Sequence, residues 1–357
     1  MSLLPMEWVV YTEHGKEKRF HSTFGMEKVC SFARKMTSLQ EGEIAKTKEP
    51  PHVPLPHCQG FQKNRQAYAL HRLLFPLAGP VQKLMLRCVS LLEGLTVSKE
   101  SIPGFQGKPV PVELYRPAGK GGKLPCVLLF HGGGFGYRAA PYHKRLAMEY
   151  ARRLGCVVAF PDYHLLPRYP YPAAREDALA AYRWLHSQRE ALQIDSGNIL
   201  VAGDSAGAVL AAYVAETYIP GCCRPCGQLL VYPVTSAGQD TGSLGAFPDT
   251  PMWNSRHNGK MWQWYLQGAT TAQRVEASPM TAQLRTPIPP AYIETAEFDC
   301  LHDEALLYVQ RLRDQGAQVT VYETKATVHG YDFCWDSPIT RESVGRRVEA
   351  MAAMLGT

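Results

Sequence analysis

The stretch from Asn198 to Ala208 constrains this chain more than any other. Ile199, Leu200, Val201 and Ala202 form a short apolar run that suits a strand buried on both faces. Gly203-Asp204-Ser205-Ala206-Gly207 follows at once, and then a helix-compatible run over 209–218. A strand passing straight into a helix leaves room for only a sharp turn. That turn holds Ser205 in a strained backbone conformation, with glycines on either side where side chains would collide. Ser205 is then raised above the sheet at the positive end of a helix, where developing negative charge is stabilised. Gly-Asp-Ser is also ordinary turn chemistry, so the flanking strand and helix carry the reading.

A serine hydroxyl needs an adjacent base, itself oriented by a carboxylate, to act as a nucleophile. Asp299 lies just beyond an expected strand at 291–295, and His329 just beyond another at 319–322. Both therefore belong at strand carboxyl ends, on the same edge as Ser205. Glu297, Asp303 and Glu304 compete for the acid's role, the last two also suiting the first turn of a helix. The strand expected at 126–130 runs into His131-Gly132-Gly133-Gly134-Phe135-Gly136. Consecutive glycines let a backbone approach a substrate closely, which makes the N–H groups of Gly133 and Gly134, with that of Ala206, candidates to hold an oxyanion. Phe135, Tyr137, Asp204, Trp253, Trp262 and Tyr331 are candidate substrate-binding residues. The same loop also spells Gly-x-Gly-x-x-Ala over 134–139, with Asp162 after the next strand. A dinucleotide site uses such elements, but that reading leaves Ser205, Asp299 and His329 without a purpose.

Other classes are disfavoured. The 357 residues, 45% hydrophobic and 20% charged, suit one large α/β domain with an elaboration. No run of eighteen apolar residues offers a membrane span, and the amino-terminal residues lack the pattern of a signal peptide. Ten cysteines without an export signal read as reduced thiols in a cytoplasmic setting. The cluster Cys222, Cys223 and Cys226 lacks a second metal-binding pair, so no metal is expected. The net charge of +6 is mild, without a basic run interleaved with aromatics, so nucleic acid is not an expected partner.

Along the chain, 1–95 reads as a helical arm, with amphipathic helices at 24–39 and 60–93 joined by a proline-rich connector at 50–56. It is expected to cover the site as part of a cap. Strands and helices alternate over 96–235, the first part of a catalytic domain, and again over 287–357, its second part. Between them, 236–286 is turn-rich and aromatic, and is expected to be a cap insertion. The fold class is α/β: a mostly parallel sheet flanked by helices, with a helical cap.

Taken together, these motifs resemble the hormone-sensitive-lipase-like branch of the α/β-hydrolases. They are His131-Gly-Gly-Gly-Phe135, Asp162-Tyr163, Leu166-Pro167, Tyr169 to Ala174, Glu176-Asp177-Ala178, Gly203-Asp-Ser-Ala-Gly207, Asp299 to Glu304 and His329-Gly330. The resemblance covers roughly 95–357. It implies hydrolysis of small acyl esters by a Ser205, His329 and Asp299 triad through an acyl-enzyme, with no cofactor. Ala208, His164 and Arg168 depart from the family's usual residues, which puts local ion pairing in question. A short- to medium-chain carboxylesterase is the expected activity. A deacetylase or amidase with the same triad, and a ligand-binding member without turnover, stay open, as does a homodimer.

Overall fold

The computed structural model describes residue 82, residues 84–238 and 240–357, and the backbone of 6–11 and 17–22. Two units divide the chain, Met1–Arg65 and Gln66–Thr357. Within the first, β1 (Met6–Tyr11) and β2 (Glu17–Ser22) form an antiparallel hairpin, Met6 opposite Ser22 and Tyr11 opposite Glu17. The sequence reading had no strand here, although Trp8, Val9, Val10 and Tyr11 are strong strand formers. The helix expected at 24–39, the connector at 50–56 and most of 60–83 lie outside the described residues, while 84–87 is helical.

The second unit is built on an eight-stranded sheet in the order β10-β9-β8-β7-β5-β6-β4-β3. Its strands are β3 (Leu95–Pro103), β4 (Pro109–Pro117), β5 (Leu124–Phe130), β6 (Val157–Pro161), β7 (Ile194–Asp204), β8 (Gly227–Val231), β9 (Ala291–Phe298) and β10 (Val319–Val328). Strands β5 to β10 run parallel, and β3 and β4 close one edge antiparallel. Besides the helical stretch at 84–87, the helices are α1 (Pro141–Leu154), α2 (Ala173–Ser187), α3 (Ala206–Glu216), α4 (Gly242–Ala246), α5 (Ser255–Tyr265), α6 (Thr271–Glu276), α7 (His302–Asp314) and α8 (Pro338–Leu355).

Alternation along the strands divides the core between two layers. Cys126, Leu128, Phe130, Ile199 and Val201 face the layer containing α2, α3 and α7. Val127, Leu129, Leu200 and Ala202 face the layer containing α1 and α8. Burial on both faces explains why β5 and β7 read as continuous apolar runs. The elbow helix α3 is buried along its whole length, as its uniformly apolar and small residues require. The insertion carries α4, α5 and α6. No described helix is long and apolar enough to cross a membrane.

Candidate active site

Strand β7 ends at Asp204, and the chain turns directly into α3. Ser205 sits between them at φ 53° and ψ −120°, a sparsely populated conformation that costs about 1–3 kcal/mol. The neighbouring glycines admit no side chain. A Cβ at Gly203 would lie 2.3 Å from the Gly207 carbonyl oxygen, and one at Gly207 would lie 2.2 Å from that of Phe130. Backbone blocks both positions, so nothing flexible can give way.

The two residues that end the next long strands converge on this turn. Asp299 follows β9 and His329 follows β10. His329 Nδ1 lies 2.7 Å from Asp299 Oδ2, and His329 Nε2 lies 2.9 Å from Ser205 Oγ. A carboxylate only accepts, so Nδ1 carries the proton and donates to Asp299. Nε2 then presents its lone pair to the Ser205 hydroxyl, which donates to it. Asp299 is fully buried and also accepts the Leu301 N–H at 3.0 Å. The competing acids are engaged elsewhere. Glu297 accepts the Ala326 N–H, Asp303 accepts the Ser243 N–H, and Glu304 accepts the N–H groups of Thr235 and Ser236. Burial pushes the Glu304 carboxyl up to about 8.

The glycine loop after β5 lies alongside. Gly133, Gly134 and Phe135 take φ values of 114°, 57° and 56°, a run that glycine makes affordable at the first two positions. The loop closes on itself through Gly136 and Tyr137 N–H groups donating to the Gly133 carbonyl at 3.0 and 2.9 Å. Tyr163 holds its start by donating to the His131 carbonyl at 2.7 Å and stacking on the His131 ring. Burial, with His143 nearby, lowers the His131 imidazole to about 3, so it is neutral.

Several expected substrate contacts have other partners. Asp204 is engaged within the protein: Oδ1 accepts the Gly132 N–H at 3.0 Å, and Oδ2 lies 3.0 Å from His143 Nε2. Ala140 N–H donates to His143 Nδ1, which leaves the proton on Nε2 and directs it at Asp204. Burial opposes the Asp204 charge, but His143 and the Gly132 N–H outweigh it and hold the pKa below its usual value. Asp204 therefore anchors the glycine loop. Phe135 stacks on Tyr265 with centroids 3.8 Å apart and is core. Tyr331 donates to Glu294 at 2.5 Å and contacts Arg347, so it belongs to a buried ionic cluster and not to a pocket wall. Trp253 does reach the site: its ring centroid is 6.0 Å from that of His329, and a Cβ on Gly134 would lie 2.7 Å from it. Trp262 is buried farther along α5. Tyr137 is partly buried against the same core layer.

Two of the three departures noted in the sequence have partners in the structure. His164 Nδ1 lies 2.7 Å from the fully buried Asp177, and the Arg168 guanidinium lies over the Tyr169 ring. Local pairing is thus maintained with different residues. The dinucleotide reading fails on geometry, because α1 begins only at Pro141, Arg138 pairs with Asp162, and Trp253 covers Gly134. A cleft of about 300 Å³ beside Thr96, Arg116 and Leu192 opens at the amino ends of the strands, away from Ser205.

A family profile for the alpha/beta hydrolase fold matches residues 127–333. The esterase LipI of Mycobacterium tuberculosis is 34% identical over 65% of this chain and 74% of its own length. The carboxylesterase NlhH of the same organism is 32% identical over 74% of this chain and 85% of its own. Among solved structures, a bacterial heroin esterase superposes with a TM-score of 0.72 at 30% identity, covering 80% of this chain and 90% of the other.

Proposed function

Since this chain belongs to the hormone-sensitive-lipase-like branch of the alpha/beta hydrolase family and is a carboxylic ester hydrolase, we propose that it works through a Ser205 acyl-enzyme. His329 takes the proton of Ser205 as Oγ attacks the ester carbonyl. Asp299 fixes the imidazole tautomer and stabilises the cation that forms. The N–H groups of Gly133, Gly134 and Ala206 hold the oxyanion, the last at the positive end of α3. His329 then returns the proton to the departing alcohol, and activates the water that releases the acid. The observation that carries this reading is the unbroken alignment of Ser205 Oγ, His329 and Asp299 at 2.9 and 2.7 Å.

Residues 236–286 act in this reading as a cap, because Trp253 within them covers Gly134 and flanks His329. A covered nucleophile favours short- to medium-chain acyl groups. The eight described cysteines are free thiols, in keeping with a reducing, cytoplasmic setting.

The test compares the parent with Ser205→Ala on p-nitrophenyl esters from acetate to palmitate, with fluorophosphonate labelling read by mass. Loss of turnover, a label on Ser205 and a steep fall beyond about six to eight carbons are expected. Parental rates in Ser205→Ala would end the proposal.

A further inference from the structure

Buried polar side chains without a hydrogen-bond partner are rare in folded proteins, and in this chain several fall in one short segment next to the glycine loop. Five of the seventeen such atoms among the described residues lie within 253–265: Trp253 Nε1, His257 Nδ1, Asn258 Oδ1, Trp262 Nε1 and Tyr265 Oη. All five side chains are more than nine-tenths buried. Poor local packing does not explain them, since neighbouring polar groups in the same segment are paired. Asn254 Nδ2 donates to the Thr250 carbonyl, Thr250 Oγ1 donates to that of Trp253, and Asn254 Oδ1 accepts the His257 N–H.

The placement of the segment that carries them, beside the glycine loop and His329, is what suggests a substrate partner. His257, Asn258, Met261, Trp262 and Tyr265 form the buried face of α5, at the three- and four-residue spacing that aligns side chains on a helix. That face lies across the glycine loop: the Cβ position of Gly134 is 3.5 Å from Met261, and Tyr265 stacks on Phe135. Trp253 links this face to the catalytic histidine, its ring centroid 5.9 Å from His257 and 6.0 Å from His329. Burial and the nearby Lys260 lower the His257 pKa, so the ring is neutral. Each unpaired group costs about 1–3 kcal/mol unless something bonds to it. A plain alkyl ester would leave that cost in place.

We propose that Trp253, His257, Asn258 and Trp262 form a recognition site for esters with a hydrogen-bond acceptor in the group lying under α5, and that such esters are preferred to all-carbon isosteres. The proposal rests on the esterase reading above and names its substrate class. Both indole N–H groups can only donate, so the complementary substrate atom is an ether, hydroxyl or carbonyl oxygen. His257 and Asn258 can add a second bond to a hydroxyl, which both donates and accepts.

Two isosteric pairs test this, each differing by one oxygen for one methylene. p-Nitrophenyl methoxyacetate against p-nitrophenyl butyrate places the acceptor on the acyl side. 2-Methoxyethyl acetate against butyl acetate places it on the alcohol side. Each kcat/KM is divided by the hydroxide-catalysed rate constant of the same ester, which removes intrinsic reactivity. The ether ester should be favoured about tenfold in one pair, the worth of one buried hydrogen bond. Trp253→Phe or Trp262→Phe, which removes a donor and keeps an aromatic ring, should return that ratio toward one. His257→Leu and Asn258→Leu provide a second route should either tryptophan variant fold poorly by circular dichroism. Normalised ratios near one in both pairs overturn the recognition site while leaving the esterase reading intact. So does a preference that survives all four substitutions. A protein that cleaves none of the four esters and takes no fluorophosphonate label overturns the esterase reading itself.

Discussion

Replacing Arg347 by methionine should cost about 3–5 kcal/mol of folding stability, a cost set by what the guanidinium leaves behind. Arg347 on α8 is fully buried, as are Glu294 and Asp332. Its Nε and Nη2 donate to Glu294 at 3.0 and 2.6 Å, and Nη1 donates to Asp332 at 2.8 Å. One cation thus faces two carboxylates, with the Tyr331 and Tyr232 hydroxyls donating to them at 2.5 and 2.6 Å. Methionine fills similar volume, so the loss is electrostatic: two buried acids are stranded without a counter-charge. Against a typical total of about 5–15 kcal/mol, that loss is large. Urea unfolding followed by tryptophan fluorescence measures it. A deficit below about 1 kcal/mol would refute the role given to the guanidinium.

Two further outcomes follow from the geometry. Glu216 is buried, and its carboxyl is pushed up to about 8 by desolvation, against the bond from Tyr308 and the pull of Arg311. A raised folded pKa means stability is lost as pH climbs from about 4.5 toward 8, at up to about 1.4 kcal/mol per pH unit. Glu216→Gln should flatten that fall, and parallel urea midpoints across this window would expose any failure. Asp204→Asn should lower kcat tenfold or more with KM little changed, because it loosens the Gly132 anchor of the oxyanion loop. A raised KM with intact kcat would instead restore the substrate contact that sequence reasoning assigned to Asp204.

The parts of the site legible in the sequence are those whose chemistry is local. Gly203, Ser205 and Gly207 announce a strand-to-helix turn because steric demands within five residues dictate their spelling. Asp299 and His329 could be placed because each immediately follows a strand, and strand ends share an edge in a parallel sheet. What a side chain points at is a different question. Asp204, Phe135 and Tyr331 all neighbour the chemistry in sequence, yet they face Gly132, Tyr265 and Glu294 respectively. The pleat and the turn decide those directions, and no spacing rule records them. Arg347 left no sequence signal, because its partners lie 53 and 15 residues away and meet it only through the docking of α8. The hairpin at β1 and β2 was legible from Trp8 to Tyr11, but the polar residues around it concealed the pattern.

Polar groups whose partners the sequence does not reveal lie next to one another around the triad. Arg347 holds Asp332, three residues beyond His329, and Asp332 accepts from the Tyr232 hydroxyl. The Tyr232 ring packs against that of His329, with centroids 4.6 Å apart. Tyr142, which lies beside Tyr232, donates to Asp204 at 3.4 Å, and Asp204 holds Gly132. Two hydrogen-bonded groups that meet at the neighbouring Tyr232 and Tyr142 side chains therefore join the histidine loop to the glycine loop through helices α8 and α1. Partners on one network share its geometry, so displacing one end should disturb the other more than two independent anchors would allow. Arg347→Met and Asp204→Asn should accordingly combine in kcat with less than the product of their separate effects. Independent losses that multiply would show that the two loops are held separately.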